Sequence, residues 1–276
     1  MRKIAIFLAP LVGAAALLLL YMYSVALRDP VVRRAAIALP DWPAGAPPIQ
    51  VLFLSDSHVA GPDMPPKRLS RIVAGLNGLR PDLVLIAGDF VSDKSLSTRR
   101  YGGVEAIAPF GRLKARLGVY AVYGNHDHWR GLGEIKAGLN AARIRLLGND
   151  AASVGPLSLG GVDDAFTSHD NIRATVDAMR HRAGARVLLS HSPDVVPAVP
   201  PDISLVLAGH THCGQIRLPL IGAVATMSDY GERFACGLSS HGHTRVITSA
   251  GLGTSLAPLR LGAVPDVWLI TLGPRG

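Results

Sequence analysis

The stretch IQVLFLSDSH, residues 49–58, is a short apolar run that stops abruptly in a polar cluster. A run this brief, with β-branched and aromatic residues and no charge, reads as a strand buried on both faces rather than as an amphipathic helix. Asp56 and His58 follow it one residue apart, a spacing that turns both side chains the same way on extended chain. The pattern recurs in DLVLIAGD (82–89), GVYAVYGNHDHW (118–129), ARVLLSH (185–191) and ISLVLAGHTHCGQ (203–215). Further apolar runs, RVITSA (245–250) and VWLITL (267–272), also read as strands.

Helix-like stretches fall between them, at roughly 67–79, 103–117, 131–141 and 171–182. Alternation of this kind argues for an α/β layered fold. In such sheets ligands sit outside the carboxyl ends of strands, so the polar clusters are expected to converge in space.

Outside this domain the sequence is simpler. Ile4 to Leu27 contains no charge, which is long enough to span the ~30 Å apolar core of a bilayer and too long for a signal-peptide core. Residues 1–34 are therefore expected to form one transmembrane helix with basic flanks, residues 35–48 a Pro-rich linker (LPDWPAGAPP at its end), and residues 49–276 the catalytic domain. The expected location is the inner membrane, in a single pass. Arg2 and Lys3 on one side oppose Arg28, Arg33 and Arg34 on the other, so the positive-inside rule leaves the face open.

Half of the net charge of +8 lies before residue 35, which leaves the folded part without a large basic face. Nucleic acid is accordingly not an expected partner, and anionic lipid headgroups are a better match for the flanks. Cys213 and Cys236 are the only cysteines, too few for a disulfide framework. Cys213 is expected to be a buried bystander on the face opposite the histidines.

Taken singly, each cluster has a bland reading: Asp89 as a turn residue, His191 as a structural histidine, GNHD as turn chemistry. Bland readings at five strand ends together are improbable. The donors number Asp56, His58, Asp89, Asn125, His191, His210 and His212, mixed oxygen and nitrogen ligands and too many for one tetrahedral site. Two metals sharing a carboxylate fit better. Trp129 reads as a packing residue, Asp163 and Asp164 as a solvated turn, and His241 and His243 as surface residues.

The order D-x-H, GD, GNHD, a lone H and GHTH over residues 50–215 closely resembles the calcineurin-like metallophosphoesterases. HTHCGQ, SAGLGTS and LRLGAVPDVWLITL further resemble their membrane-anchored bacterial branch, the YkuE-like or YaeI-like phosphodiesterases. The resemblance implies a four-layer αββα sandwich holding two divalent metal ions (Mn, Fe, Zn or Co). It places one ion on Asp56, His58 and His212 and the other on Asn125, His191 and His210, with Asp89 bridging. His126 becomes the catalytic histidine beside the leaving group. The carboxylate that often follows the bridging Asp by three residues is Ser92 here, which leaves Asp93 or Asp127 to orient His126. Arg260 is a candidate for substrate phosphate.

The implied activity is hydrolysis of a phosphodiester or pyrophosphate by attack of an activated water, with no Ser or Cys nucleophile. A lipid-linked or envelope substrate suits the anchor, and hydrolysis of UDP-2,3-diacylglucosamine in lipid A synthesis is one expectation, provided the site faces the cytoplasm. The alternative is a non-catalytic metal-binding scaffold on the same fold.

Overall fold

A computed structural model describes the backbone of residues 2–274 and the side chains of residues 10–274. Twelve strands build two mixed sheets. The first takes β1 (Val31–Ala38), β2 (Ile49–Leu54), β3 (Leu83–Ala87), β4 (Val119–Val122), β5 (Arg145–Leu146) and β12 (Asp266–Gly273), in the order β1-β12-β2-β3-β4-β5. The second takes β6 (Asp150–Val154), β7 (Leu157–Gly161), β8 (Ala185–Leu189), β9 (Leu205–Ala208), β10 (Gly237–His241) and β11 (Thr244–Thr248), in the order β10-β11-β9-β8-β7-β6.

The strands read from the sequence as apolar runs lie at the centres of these sheets, and their alternation explains the layering. Val51 and Phe53 of β2, Leu83 and Leu85 of β3, Val187 and Leu189 of β8, and Leu205 and Leu207 of β9 meet in one core between the sheets. Their neighbours Leu52, Leu54, Val84 and Ile86 face outward onto α2 (Pro66–Leu76), α3 (Gly103–Ile107) and α5 (Leu132–Ala141). On the other side, Leu188 and Val206 pack against Val176 and Met179 of α6 (Ile172–Arg180). Each central strand is apolar on both faces because each face has a partner layer, and the result is an αββα sandwich.

α2 starts with Pro66 in its first turn and turns Leu69, Ile72, Val73 and Leu76 to the sheet, the spacing of an amphipathic helix. The helix expected over 103–117 is shorter. It gives way after Ile107 to a 3-10 turn, Ala108–Arg112, at Pro109, because proline lacks the N–H and clashes with the preceding turn.

One expectation about the N-terminal region changes. The boundary at residue 34 falls inside β1, which pairs in parallel with β12 from Val31↔Asp266 to Ala38↔Gly273. Residues 35–38 are therefore sheet rather than linker: the carbonyls and N–H groups of β12 on that edge need a partner, and β1 supplies one. Residues 2–26 form the helix α1 (Arg2–Ala26). Among the described residues no helix is long and apolar enough to cross a membrane. What the structure does show is that Met22, Val25 and Ala26 of α1 are buried against the domain, while Leu11, Val12 and Leu17 to Tyr21 are exposed.

Candidate metal centre

The five polar clusters meet at the carboxyl ends of β2, β3, β4, β8 and β9, so both sheets contribute. The convergence is as expected, but its local cause differs. Asp56, His58, Asp89, His210 and His212 all have left-handed backbones, with φ of 50°, 42°, 54°, 67° and 51°. They are not alternate teeth of an extended strand. Each non-glycine residue held there costs on the order of 1 kcal/mol, and strain of this kind concentrates where a site needs side chains aimed inward.

Asp89 is the hub. Its Oδ2 lies 3.3 Å from His58 Nε2 and 3.3 Å from His191 Nε2. On one side, His58 Nε2 and His212 Nε2 are 3.0 Å apart and Asp56 Oδ1 is 3.9 and 3.7 Å from them. On the other, Asn125 Oδ1 is 3.0 Å from both His191 Nε2 and His210 Nδ1, which are themselves 3.2 Å apart. All seven donors expected from the sequence are thus brought together, in two adjacent groups that share Asp89.

Surrounding carbonyls fix which ring nitrogen two of the histidines offer. His191 Nδ1 donates to Ala87 O at 2.6 Å and leaves Nε2 free, while His210 Nε2 donates to Met227 O at 2.9 Å and leaves Nδ1 free. A second hydrogen bond of this kind is how a protein orients a metal-ligating histidine. Gly124 precedes Asn125 because any Cβ there would strike the Asp89 carboxylate and its backbone nitrogen. The close approach of the β3 and β4 loops depends on that glycine.

The electrostatics fit cations. Burial pushes the Asp56 carboxyl up to about 6, an effect that a positive charge at the site would reverse. Burial also lowers the imidazoles of His58 and His212 well below the usual histidine range, and that of His210 to about 3, so these three rings are neutral and able to ligate. Burial opposes the charged forms of Asp89 and His191 as well, but their mutual attraction outweighs it, lowering the Asp89 carboxyl and raising the His191 imidazole, and a cation on His191 Nε2 would take the place of that proton. Buried acceptors this close, with His58 Nδ1 left without a partner, are the donor set of a divalent-metal site.

His126 stands beside the donors, with its backbone N–H on Asp89 Oδ1 at 2.9 Å and its Nδ1 2.5 Å from Asp93 Oδ1. Asp93 is therefore its orienting partner. Asp127 has another task. It accepts from the N–H groups of Asp89, Phe90 and Gly124, tying the β3 and β4 loops together, and burial followed by the Asp89 charge pushes its carboxyl up to about 7.

Arg260 does not reach a substrate, which corrects its reading as a phosphate ligand. Its side chain is fully buried and donates to the carbonyls of Ala250, Gly251, Gly253 and Ala263, passing 3.4 Å from His212 Nδ1. A loop that folds its carbonyls inward needs a donor fork, and arginine supplies five N–H groups. Cys213 is not a bystander either. It forms a disulfide with Cys236 across 23 residues. Nor do Asp163 and Asp164 form a solvated turn: Asp163 pairs with His128 at 2.8 Å, and the fully buried Asp164 caps the turn at Thr167. His241 is held on the surface by Arg233.

A cavity of about 410 Å³ opens onto the donors. Asp89, Asn125, His126, His210 and His212 line its floor, and Trp129, Phe166, Ile216, Val224, Met227 and Leu256 line its walls. Trp129 is half exposed and edge-on to His126 at 4.9 Å between ring centres, so it is a wall rather than a packing residue. Lys94 also faces the cavity, buried and paired with Asp63 at 2.7 Å and with Thr254. The sequence carried no signal for it, because its partners are 31 and 160 residues away.

Six O and N donors around the Asp89 carboxylate, with a partnered histidine at the rim, mark a metal-dependent hydrolase of phosphoesters. The chain belongs to the calcineurin-like phosphoesterase family, whose pattern matches residues 49–214. It is 28% identical over 238 residues to YkuE of Bacillus subtilis, an uncharacterised metallophosphoesterase, covering 83% of this chain and 81% of that one. To the phosphodiesterase YaeI of Escherichia coli it is 32% identical over 239 residues, covering 82% and 83%. A zebrafish transmembrane protein with a metallophosphoesterase domain is 32% identical over 279 residues; the chain spans 60% of that protein's length.

Proposed function

We propose that the protein is a membrane-anchored phosphodiesterase with two divalent cations, acting on a phosphodiester or pyrophosphate that carries an apolar group. The observation that supports this most is the cavity: its floor is the donor cluster, and its walls are mostly apolar side chains. A monoester of a small polar alcohol has nothing to set against Trp129, Phe166, Ile216, Val224 and Leu256, whereas an acyl or prenyl chain does.

Asp56, His58, His212 and Asp89 would hold one cation, and Asn125, His191, His210 and Asp89 the other. When bound, two such cations polarise phosphoryl oxygens and lower the pKa of an attacking water. His126, held through Nδ1 by Asp93, faces the cavity and, when Nε2 is protonated too, gives that proton to the departing oxygen.

The exposed apolar surface of α1 supports a single-pass anchor. The disulfide supports an oxidising compartment, since thiols in most cytosols stay reduced. It therefore weighs against a cytoplasmic UDP-2,3-diacylglucosamine hydrolase, which is not carried further. Purified protein supplied with Mn²⁺ should hydrolyse bis(p-nitrophenyl) phosphate faster than the monoester, and a diacyl phosphodiester more efficiently than either. Preference for the monoester would refute the assignment.

A further inference from the structure

The geometry points to a second membrane contact besides α1: the hairpin of residues 217–224, with Leu256 beside it, lies on the bilayer surface, and the cavity mouth opens there. This rests on the α1 anchor proposed above and deepens it, since it says where an apolar substrate enters.

The hairpin pairs Arg217 with Ala223 and Leu218 with Gly222. Between them, Leu220 is 108% exposed and Ile221 74% exposed. Leu220 also has a left-handed backbone at φ 66°. A leucine in that conformation, fully presented to solvent, is disfavoured twice over, by its backbone and by its apolar surface. Neither cost is offset by burial of Leu220 against any of the described residues. Val224, Met227 and Leu256 extend the same exposed apolar surface to the cavity, whose walls they share with Ile216.

The surface commits to a bilayer rather than to another protein because of what lies next to it. Ile216 bridges to Leu261, and Arg217 N donates to Leu261 O at 2.7 Å. One residue earlier, Arg260 N donates to Met22 O of α1 at 3.0 Å. The hairpin base and the domain end of α1 are thus held by consecutive residues of one segment. Arg28 follows α1 and is exposed, and its carbonyl is fixed by Arg68 at 2.6 Å. An exposed arginine beside an apolar helix and an apolar hairpin suits anionic headgroups over hydrocarbon.

The experiment uses the full chain in phosphatidylcholine–phosphatidylglycerol vesicles, with an environment-sensitive fluorophore on Ile221→Cys, on Leu18→Cys as the anchor probe, or on Asp177→Cys of α6 as the aqueous probe. Lipids bearing a nitroxide on the acyl chain should quench the probes at 18 and 221 at least twofold and leave 177 unchanged. Quenching at 18 without quenching at 221 overturns the hairpin contact and leaves the anchor standing. Quenching at neither overturns both. The paired substitution Leu220→Asp with Ile221→Asp should keep hydrolysis of bis(p-nitrophenyl) phosphate within twofold and lower that of a vesicle-borne diacyl phosphodiester at least tenfold. Equal rates on the vesicle substrate with and without the paired substitution would overturn the proposal even in an active enzyme.

Discussion

Asp89 Oδ2 sits 3.3 Å from His58 Nε2 and 3.3 Å from His191 Nε2, so one carboxylate oxygen faces both halves of the donor cluster. Replacing it with Asn removes the shared negative charge while keeping the shape. Asp89→Asn should lower phosphodiester hydrolysis by on the order of 100-fold or more, and metal analysis of the purified variant should show less bound metal. Full metal content with full activity would remove Asp89 from its bridging role.

Among the described residues the Asp93 carboxylate bonds only to His126. Asp93→Ala should therefore reduce kcat about 10- to 100-fold, below the ~10²–10⁴ contributed by an acid–base group itself, with metal content unchanged. A loss of bound metal in this variant would mean that Asp93 supports the donors instead.

The disulfide closes the segment that carries Met227, whose carbonyl fixes His210, together with the exposed hairpin. Cys236→Ser should cost about 3 kcal/mol of stability by the chain-entropy account of a loop this size, read as a lower denaturant midpoint. Protein prepared without reductant and then denatured should show no free thiol. Two reactive thiols per chain would contradict the bond.

Arg260 neutralises four inward carbonyls, not a substrate. Arg260→Ala should leave buried acceptors unpaired and destabilise the chain by at least about 3 kcal/mol. Arg260→Lys should rescue only part of this, since an ammonium cannot reach around the loop as a planar fork does. A variant of normal stability with a raised KM would restore the substrate role.

What the sequence revealed follows from how local each signal is. Asp56, His58, Asp89, Asn125, His126, His191, His210 and His212 each sit at the end of a buried apolar run, so their convergence could be read from strand ends alone. The backbone that aims them could not, because left-handed φ at an Asp or His leaves no compositional mark. The short strand expected ahead of Asp163 is β7, which ends in Gly160 and Gly161, poor strand formers that are present because Met179 and Leu147 press against the sheet there. β1 was absorbed into the basic flank of the apolar run, as it lies at a sheet edge with most of its residues exposed. Arg260 and Cys213 were misread for a shared reason: which way a loop side chain points depends on partners far away in sequence.

The position of β12 has a consequence for how the chain is made. Residues 266–273 lie between β1 and β2, so the first sheet stays split until this late stretch has left the ribosome. During synthesis β2, β3 and β4 can assemble side by side, while β1 waits near its helix with nothing to join. Any truncation before residue 266 would remove an inner strand rather than trim an end, and the site-bearing half would lose its connection to the helix that precedes it.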